Sequence, residues 1–279
     1  MNILEEIIAH KKIEVEKSKE RLSLDKLKNL VKARVEAGFK PASIKPASFF
    51  ETLKNKTDKK QIALIAEVKK ASPSKGVIRE DFNPIEIAKA YKAGGATCLS
   101  VLTDEKYFQG NLNYIQEIKN VIDLPILRKD FIIDQYQIYE SAYNQADCIL
   151  LIVGAFCVGA SRDLYLLRDL HKIACENGID VLIEIHDKKE MEIALNINPQ
   201  IIGINNRDLK TFQTNLDTTK TLIEKYKRDL GNKIVVSESG IFTNEDVKSL
   251  IEHGVYTFLI GESLMKERDI EAATKKLLS

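Results

Sequence analysis

Residues 61–74 read QIALIAEVKKASPS, a short apolar and β-branched run that ends in charged and then small side chains. Seven further runs of this kind follow, each separated from the next by a longer helical pattern. Apolar runs without alternation are typical of strands covered on both faces, as in a parallel sheet wrapped by helices. The eight predicted strands span residues 62–68, 97–102, 125–127, 148–153, 180–185, 201–204, 233–237 and 257–260.

Amphipathic segments lie between these runs, at residues 84–93, 115–121, 161–177, 188–195, 218–230 and 244–253. Several end near a glycine that suits a left-handed helix cap, namely Gly94, Gly178, Gly231 and Gly254. The strands recur about every 28 residues, the size of one βα unit. A doubly wound open sheet is the competing arrangement, but neither GxGxxG nor GxxxxGK(S/T) occurs. We therefore predict an α/β fold, a (β/α)8 TIM barrel.

Residues 1–60 differ from the rest because they are rich in Lys and Glu and contain Pro41 and Pro46. Asn2 and Glu5 form a predicted capping pair at the start of a helix. The apolar stripe of this helix consists of Ile3, Leu4, Ile7 and Ile8. The alternative is a solvated charged helix with a small packing face. We predict one domain over residues 1–279, with a helical extension at 1–60 and the barrel at 61–279.

Composition excludes several classes of protein. The 279 residues carry 42 Lys plus Arg against 41 Asp plus Glu, a net charge of +1, which argues against a broad nucleic-acid-binding face. The longest apolar stretch, residues 148–160, is shorter than the roughly 20 residues that span a membrane. No signal-peptide, CxxC or HExxH pattern occurs. The sequence therefore favours a cytoplasmic protein with reduced thiols and without a metal site.

Charged side chains end several of the predicted strands. Glu67 and Lys69 share one face of the first strand because side chains alternate, while Lys129 and Glu184 end the third and fifth strands. In a barrel the active site lies at these carboxyl-terminal ends. Each charge alone could be a solvated boundary residue. Together they predict a mouth of matched acids and bases with perturbed pKa values, because burial of unpaired charges is costly.

Small residues end the last two strands, in VSESGI at residues 236–241 and LIGESLM at residues 259–265. Such segments let backbone N–H groups approach an anion, and barrels commonly hold phosphate at this position. Two ordinary βα turns are the alternative. Lys69 or Ser72 would close the ring around the phosphate. Phe108 and Phe131 would line an apolar pocket or belong to the core, and His186 is interpreted as structural, as is His253.

These segments resemble the indole-3-glycerol phosphate synthase family over essentially the whole chain. The resemblance rests on EVKKASPS at 67–74, the segment from 102 to 110, LRKDF at 127–131, GINNRDL at 203–209 and SESGI at 237–241. It implies a barrel enzyme of tryptophan biosynthesis. The implied reaction converts 1-(2-carboxyphenylamino)-1-deoxy-D-ribulose 5-phosphate to indole-3-glycerol phosphate with loss of carbon dioxide and water, and it needs no cofactor.

The resemblance also implies roles for individual residues. Lys129 would be the general acid for ring closure, and Glu184, with a pKa raised toward neutrality, would act in the dehydration. Lys69 would bind the substrate carboxylate, and either Lys69 or Lys129 would donate the later proton. Acids such as Glu67 would offset the burial of Lys129 and keep it charged. The remaining implied set comprises Asn205 in catalysis, Arg207 and Glu238 for orienting polar groups, Phe108, Phe131 and Leu150 around the aromatic ring, and Ser72, Lys69, Ser239, Gly240, Gly261, Glu262 and Ser263 around the phosphate.

Glu262 departs from the family pattern, because a carboxylate repels phosphate. We expect only its backbone N–H to help, with the side chain turned to solvent. The resemblance further implies that the N-terminal extension covers the barrel mouth and that the protein is a monomer with a small phosphorylated substrate. Two alternatives stay open: a related barrel such as phosphoribosylanthranilate isomerase, which would lack the Glu67, Lys69, Lys129 and Glu184 set, and an inactive barrel that docks a pathway neighbour.

Overall fold

The computed structural model describes residues 3–37, 48–157, 163–208 and 211–279. Eight parallel strands form a closed barrel, in the spatial order β1-β10-β9-β8-β7-β6-β5-β4. The strands are β1 (Ala63–Val68), β4 (Cys98–Leu102), β5 (Ile126–Lys129), β6 (Cys148–Ile152), β7 (Asp180–Ile185), β8 (Ile201–Asn205), β9 (Ile234–Glu238) and β10 (Thr257–Ile260). A two-stranded hairpin, β2 (Ala71–Ser72) and β3 (Gly76–Val77), lies in the loop after β1.

The predicted barrel is confirmed, and each of the eight strands lies within two residues of its predicted bounds. Nearly every strand residue is buried, as expected for strands with side chains packed inside the barrel and against the outer helices. The register pairs Leu102 with Lys129 and Asn205 with Glu238 across neighbouring strands. Polar residues at the ends of different strands are thereby brought to one level.

Helices surround the barrel. They are α4 (Pro84–Gly94), α5 (Glu105–Phe108), α6 (Asn113–Lys119), α7 (Gln135–Tyr143), α8 (Leu164–Glu176), α9 (Lys188–Ile197), α10 (Asp217–Leu230), α11 (Asn244–Ile251), α12 (Glu262–Met265) and α13 (Ile270–Leu278). The six predicted helical segments correspond to α4, α6 and α8–α11, although residues 161–162 of the third segment lie outside the described residues. The sequence interpretation missed α5, α7 and α13, each of which follows an aspartate whose side chain accepts a backbone N–H.

One predicted helix cap is displaced by a residue. Gly95, not Gly94, adopts the left-handed conformation after α4, with φ +98°. Gly94 remains helical, and a Cβ there would lie 2.5 Å from the Cβ of Thr274 on α13. Gly94 is therefore small because two helices approach closely, whereas Gly95 supplies the turn.

The N-terminal extension contains three helices, α1 (Ile3–Arg21), α2 (Leu24–Glu36) and α3 (Phe49–Thr57). The predicted apolar stripe of α1 is half-buried at Ile3 and buried at its other three residues, and α1 lies across the carboxyl-terminal end of the barrel. The predicted cap residue Asn2 lies outside the described residues. In contrast, α3 lies at the opposite end, where the backbone N–H of Phe50 donates to Asp180 at the start of β7 (2.8 Å). The extension thus contacts both ends of the barrel.

Among the described residues, no helix is both long and apolar enough to cross a membrane.

Candidate active site

A cavity of about 180 Å³ opens at the carboxyl-terminal ends of the strands. All sixteen residues proposed from the sequence line it. The side chains of Ile3, Leu4 and Ile7 on α1 line it as well. The barrel topology explains this convergence, because parallel strands bring their carboxyl ends to one edge even when the residues are far apart along the chain.

The charged part of the cavity lining, called the floor, is centred on Lys129 at the end of β5. The floor consists of Glu67, Lys69, Lys129, Glu184, Asn205 and Glu238. Its Nζ lies 2.8 Å from Glu184 Oε2 at the end of β7 and 2.6 Å from Glu238 Oε2 at the end of β9. Asn205 donates its Nδ2 hydrogen to the other Glu184 oxygen, at 3.2 Å. On β1, the amine of Lys69 donates to Glu67. Four strands therefore contribute paired acids and amines to one small volume.

The ionisation of this floor differs from the sequence expectation in one respect. Burial opposes ionisation of Glu184, but Lys129 and His186 outweigh it and hold the Glu184 pKa well below its usual range. Burial raises the pKa of Glu238 to about 7, against the pull of Lys129 and with the help of the neighbouring Glu184 charge. The expectation that Glu184 has the raised pKa is therefore wrong, because Glu184 has the extra cation beside it.

Lys129 stays protonated despite its burial. Desolvation favours the neutral amine, but Glu184, Glu238 and Glu67 outweigh this effect and raise the pKa of Lys129 above its usual range. An ammonium fixed between carboxylates is a preorganised hydrogen-bond donor. The floor can therefore donate a proton from Lys129 and accept one at a carboxylate.

His186, which was interpreted from the sequence as structural, contacts the charged floor directly. Its Nε2 lies 3.3 Å from Glu184 Oε1, and its Nδ1 lies 3.0 Å from Glu190 Oε2 on α9. Burial alone would lower its pKa, but the two carboxylates raise the pKa of His186 to about 10. The alternation of strand residues placed His186 on the same face as Glu184, which was the available signal.

Small residues in the loops after β9 and β10 form another part of the cavity lining, called the rim. Ser239 and Gly240 after β9 both have left-handed backbones, with φ +65° and +76°. Gly261 after β10 has no room for a side chain, since a Cβ there would lie 2.4 Å from Glu67 Oε1. Ser263 donates its hydroxyl to the carbonyl of Ile241 (3.0 Å), which joins the two loops. This rim can present backbone N–H groups to an anion, and the left-handed serine is typical of functional sites.

Glu262 corrects another expectation. Its side chain is only 13% exposed and is not turned freely to solvent. One oxygen accepts a hydrogen bond from Lys266 Nζ (2.6 Å), and the other lies 3.4 Å from Arg207 Nη2. Because the carboxylate is engaged by two cations, its repulsion of a nearby phosphate is reduced.

Aromatic side chains form the remaining wall. The rings of Phe108 and Phe131 lie with centroids 6.1 Å apart at an angle of 39°, and Leu150 lies in the same cavity lining. Phe212 and Phe242 also line the cavity but were missed, because they lie in turns outside any periodic pattern. An apolar wall facing a charged floor suits a planar aromatic group that carries charges at its edges.

No group of three His, Cys, Asp or Glu side chains within the described ranges is arranged to hold a metal ion. The fold and the cavity together define a (β/α)8 barrel whose mouth holds paired acids and amines and, after β9 and β10, small-residue loops that can bind an anion. Solved barrels share the fold. KGPDC from Streptococcus mutans has a TM-score of 0.57 at 13% identity, covering 78% of this chain and 95% of that chain. An N-acetylmannosamine-6-phosphate 2-epimerase from Clostridium perfringens has a TM-score of 0.56 at 16% identity, covering 74% and 89%.

Sequence comparison is more specific. The family model described as indole-3-glycerol phosphate synthase matches residues 4–277. An indole-3-glycerol phosphate synthase of Polynucleobacter necessarius is 43% identical over 278 residues, covering 100% of this chain and 99% of the relative. One from Thermoanaerobacter pseudethanolicus is 45% identical over 264 residues, covering 95% and 92%. The chain belongs to the indole-3-glycerol phosphate synthase family.

Proposed function

We propose that the cavity catalyses the family's reaction with the residues of its floor, rim and walls in the roles given below. The chain is a carboxy-lyase of tryptophan biosynthesis that converts 1-(2-carboxyphenylamino)-1-deoxy-D-ribulose 5-phosphate to indole-3-glycerol phosphate, carbon dioxide and water. The observation that carries the assignment of roles is the position of Lys129. Its ammonium is fixed between Glu184 and Glu238 inside a cavity that has an aromatic wall and an anion-binding rim.

Lys129 is the general acid of the first step. The ring carbon that bears the carboxylate attacks the ketone carbon, the new carbon–carbon bond forms, and the ketone oxygen takes a proton from Lys129. A developing alkoxide is more basic than an amine, so the raised pKa of Lys129 still permits this transfer while keeping the donor protonated beforehand. The fixed ammonium also stabilises the negative charge on that oxygen.

Two further bonds then break. The carboxylate leaves as carbon dioxide, and its bonding electrons restore the aromatic ring. The hydroxyl leaves as water after taking a proton from the Lys69 ammonium, or from Lys129 once solvent has reprotonated it, while Glu184 removes the proton from the adjacent carbon to complete the indole. The proton held by Glu184 and one proton from solvent, which offsets the charge of the departed carboxylate, return all groups to their starting states. Asn205 and the cation of His186 hold the Glu184 carboxylate in place for this transfer.

Substrate binding is divided around the cavity. Lys69, with Glu67 beside it, binds the substrate carboxylate until it departs. Phe108, Phe131 and Leu150 pack against the aromatic ring, and Arg207 and Glu238 orient polar groups of the sugar chain. The phosphate is bound by Lys69 or Ser72 from the loop after β1 and by backbone N–H groups at Ser239, Gly240, Gly261, Glu262 and Ser263.

The protein acts in the cytoplasm as a monomer. This part of the proposal is supported by membership of the indole-3-glycerol phosphate synthase family, whose reaction is a step of amino-acid biosynthesis. The site takes a small phosphorylated molecule and no nucleic acid, in keeping with a net charge of +1.

To test the function, 1-(2-carboxyphenylamino)-1-deoxy-D-ribulose 5-phosphate is added to the folded protein, and formation of the indole product is followed by its fluorescence. We expect turnover by the unmodified chain. Lys129→Ala should lower kcat on the order of 10²- to 10⁴-fold while binding the substrate nearly as well, because the acid is used mainly in the transition state. Lys89→Ala is the control, since Lys89 is an exposed residue on α4 outside the cavity.

Absence of turnover by folded protein would reject the enzyme function and favour a binding role for the barrel. Wild-type kcat in Lys129→Ala would reject only the assignment of the acid.

A further inference from the structure

Lys11 is a buried lysine that the reaction does not use. It lies on α1, one helical turn after the cavity-lining Ile7, and only 1% of its surface is exposed. Its neighbour Lys12 on the same helix is exposed. A lysine ammonium is rarely buried to this degree unless carboxylates surround it, because removal from water disfavours the charge.

Three carboxylates surround Lys11. Its Nζ lies 2.9 Å from Asp104 Oδ2, 3.0 Å from Asp130 Oδ1 and 3.0 Å from Glu14 Oε2. Asp104 and Asp130 are themselves almost fully buried. Two of the three partners therefore belong to loops of the barrel rather than to α1, and the ammonium joins the extension to the barrel mouth.

The two barrel carboxylates also fix the loops that carry the aromatic wall. Asp104 accepts the backbone N–H of Tyr107 (2.7 Å) at the start of α5, which ends at Phe108. Asp130 accepts the backbone N–H of Phe131 (2.8 Å). Lys11 therefore contacts both carboxylates, Asp104 and Asp130, that fix the loops carrying Phe108 and Phe131.

Other contacts reinforce the same junction. Asp130 accepts hydrogen bonds from Thr103 Oγ1 (2.5 Å) and Arg128 Nη2 (3.0 Å). Between α1 and α5, the hydroxyl of Tyr107 donates to Glu6 Oε1 (3.1 Å), and its ring stacks edge-on against His10. The junction is charged and buried, so loss of Lys11 leaves Asp104 without its cation and leaves Asp130 with Arg128 alone.

We propose that Lys11 is a positioning residue for substrate binding, whose ammonium holds α1 and the loops of Phe108 and Phe131 in one arrangement around the aromatic ring. The inference rests on the proposed function, because it assigns the aromatic wall to the substrate. Lys11 does not touch the reacting atoms, and Lys129 keeps its own partners Glu184 and Glu238 when Lys11 is lost. The effect should therefore fall on KM more than on kcat.

Lys11→Met tests this role, with Lys12→Met as the matched control on the same helix. We expect Lys11→Met to raise KM about tenfold and to lower kcat less than about threefold, because a loosened wall weakens binding of the ring while the acid stays in place. Hydrogen exchange in the substrate-free protein should become faster within residues 3–21 and remain slow in the strands. Lys12→Met should resemble the unmodified protein in all three measurements.

The double variant Lys11→Met/Asp104→Asn separates positioning from stability. Lys11→Met leaves the Asp104 carboxylate buried and unpaired, which should lower Tm. Asp104→Asn removes that charge but keeps an oxygen that can accept the Tyr107 N–H. In the double variant the lost Tm should therefore recover while KM stays raised. Recovery of a wild-type KM together with Tm would overturn the proposal, as would an unchanged KM in folded Lys11→Met. Lack of turnover in the unmodified protein would instead reject the proposed function, and the exchange comparison would still report whether Lys11 fixes α1.

Discussion

Lys129, Glu184 and Glu238 form a triad in which each ionisation depends on the others. Lys129 supplies one positive charge to both Glu184 and Glu238, and His186 lies beside Glu184 but not beside Glu238. Burial disfavours each of these charges. Glu238 has fewer cations beside it than Glu184, so burial raises the pKa of Glu238 to about 7. The two glutamates are chemically alike but differ in ionisation: Glu184 is an anion at neutral pH and can accept a proton, whereas Glu238 titrates near neutrality.

The raised pKa of Glu238 predicts a pH dependence. Below about pH 7 the Glu238 carboxyl is protonated and attracts the Lys129 ammonium less strongly, whereas above this pH it is ionised. We expect kcat/KM to fall as the pH decreases through about 7, and Glu238→Gln to lose that acidic limb and about tenfold or more in kcat/KM. A pH–rate profile of both proteins measures this, with exposed Glu252→Gln as the control. An acidic limb that persists unchanged in Glu238→Gln would contradict the assignment.

His186 predicts a pH dependence of stability. Its pKa in the folded protein is about 10 against 6.5 for a free histidine, so the folded state binds more protons between these values. The stabilisation is fully present below about pH 6.5 and is lost as the pH rises through 10, by at most about 1.4 kcal/mol per pH unit.

The unmodified protein should therefore have a higher free energy of unfolding than His186→Asn at pH 7. This difference should become smaller as the pH rises to 10. Denaturant unfolding at a series of pH values measures it. His253→Asn is the matched control, because His253 is an exposed histidine outside the cavity. A difference for His186→Asn that is independent of pH would show that the imidazole is not charged in the folded state.

At the scale of elements, the eight strands were predictable because each is a short apolar run bounded by polar turns, and the barrel followed from their number and spacing. The sixteen predicted site residues converge because most of them lie at the carboxyl ends of those strands or in the loops that follow. Helix α7 was missed because its sequence mixes polar and aromatic residues. Sequence reasoning gave Lys11 no role and did not predict that it contacts Asp104 and Asp130, or that Glu262 contacts Arg207, because these partners lie far away along the chain and local patterns do not reveal such contacts.

The N-terminal extension contributes separately to binding and to stability. Deleting residues 1–45 removes Ile3, Leu4 and Ile7 from the cavity wall but keeps α3, whose Phe49 and Leu53 are fully buried. We expect the shortened protein to fold and its KM to rise about tenfold or more, since each buried apolar side chain contributes roughly 1.5–3 kcal/mol. Steady-state kinetics and circular dichroism measure these effects.

A protein that also lacks α3, beginning at residue 58, is the control for folding and should be unfolded at 25 °C. Global unfolding of the 46–279 protein would show that α1 and α2 are needed for folding itself. An unchanged KM in that protein would show that α1 is not part of the binding site.

The whole molecule separates its two ends. The carboxyl-terminal end holds the cavity under α1, and the opposite end is covered by α3, so the extension encloses the site without blocking the strand ends that supply its chemistry. In the proposed reaction we expect this enclosure to exclude water from the reacting ring and to strengthen the ion pairs of the floor. The division into an extension at 1–60 and a barrel at 61–279 within one domain stays a prediction.

A crystal structure with bound indole-3-glycerol phosphate tests most directly whether acid–base groups and phosphate rim act on one substrate. We predict phosphate oxygens within about 3 Å of backbone nitrogens at Gly240 and Ser263, and the indole against Phe108 and Phe131. Lys129 and Glu184 should then contact the edge of the pyrrole ring. A product bound outside the cavity, or with its phosphate on Lys129 and its indole at the glycine rim, would contradict the account.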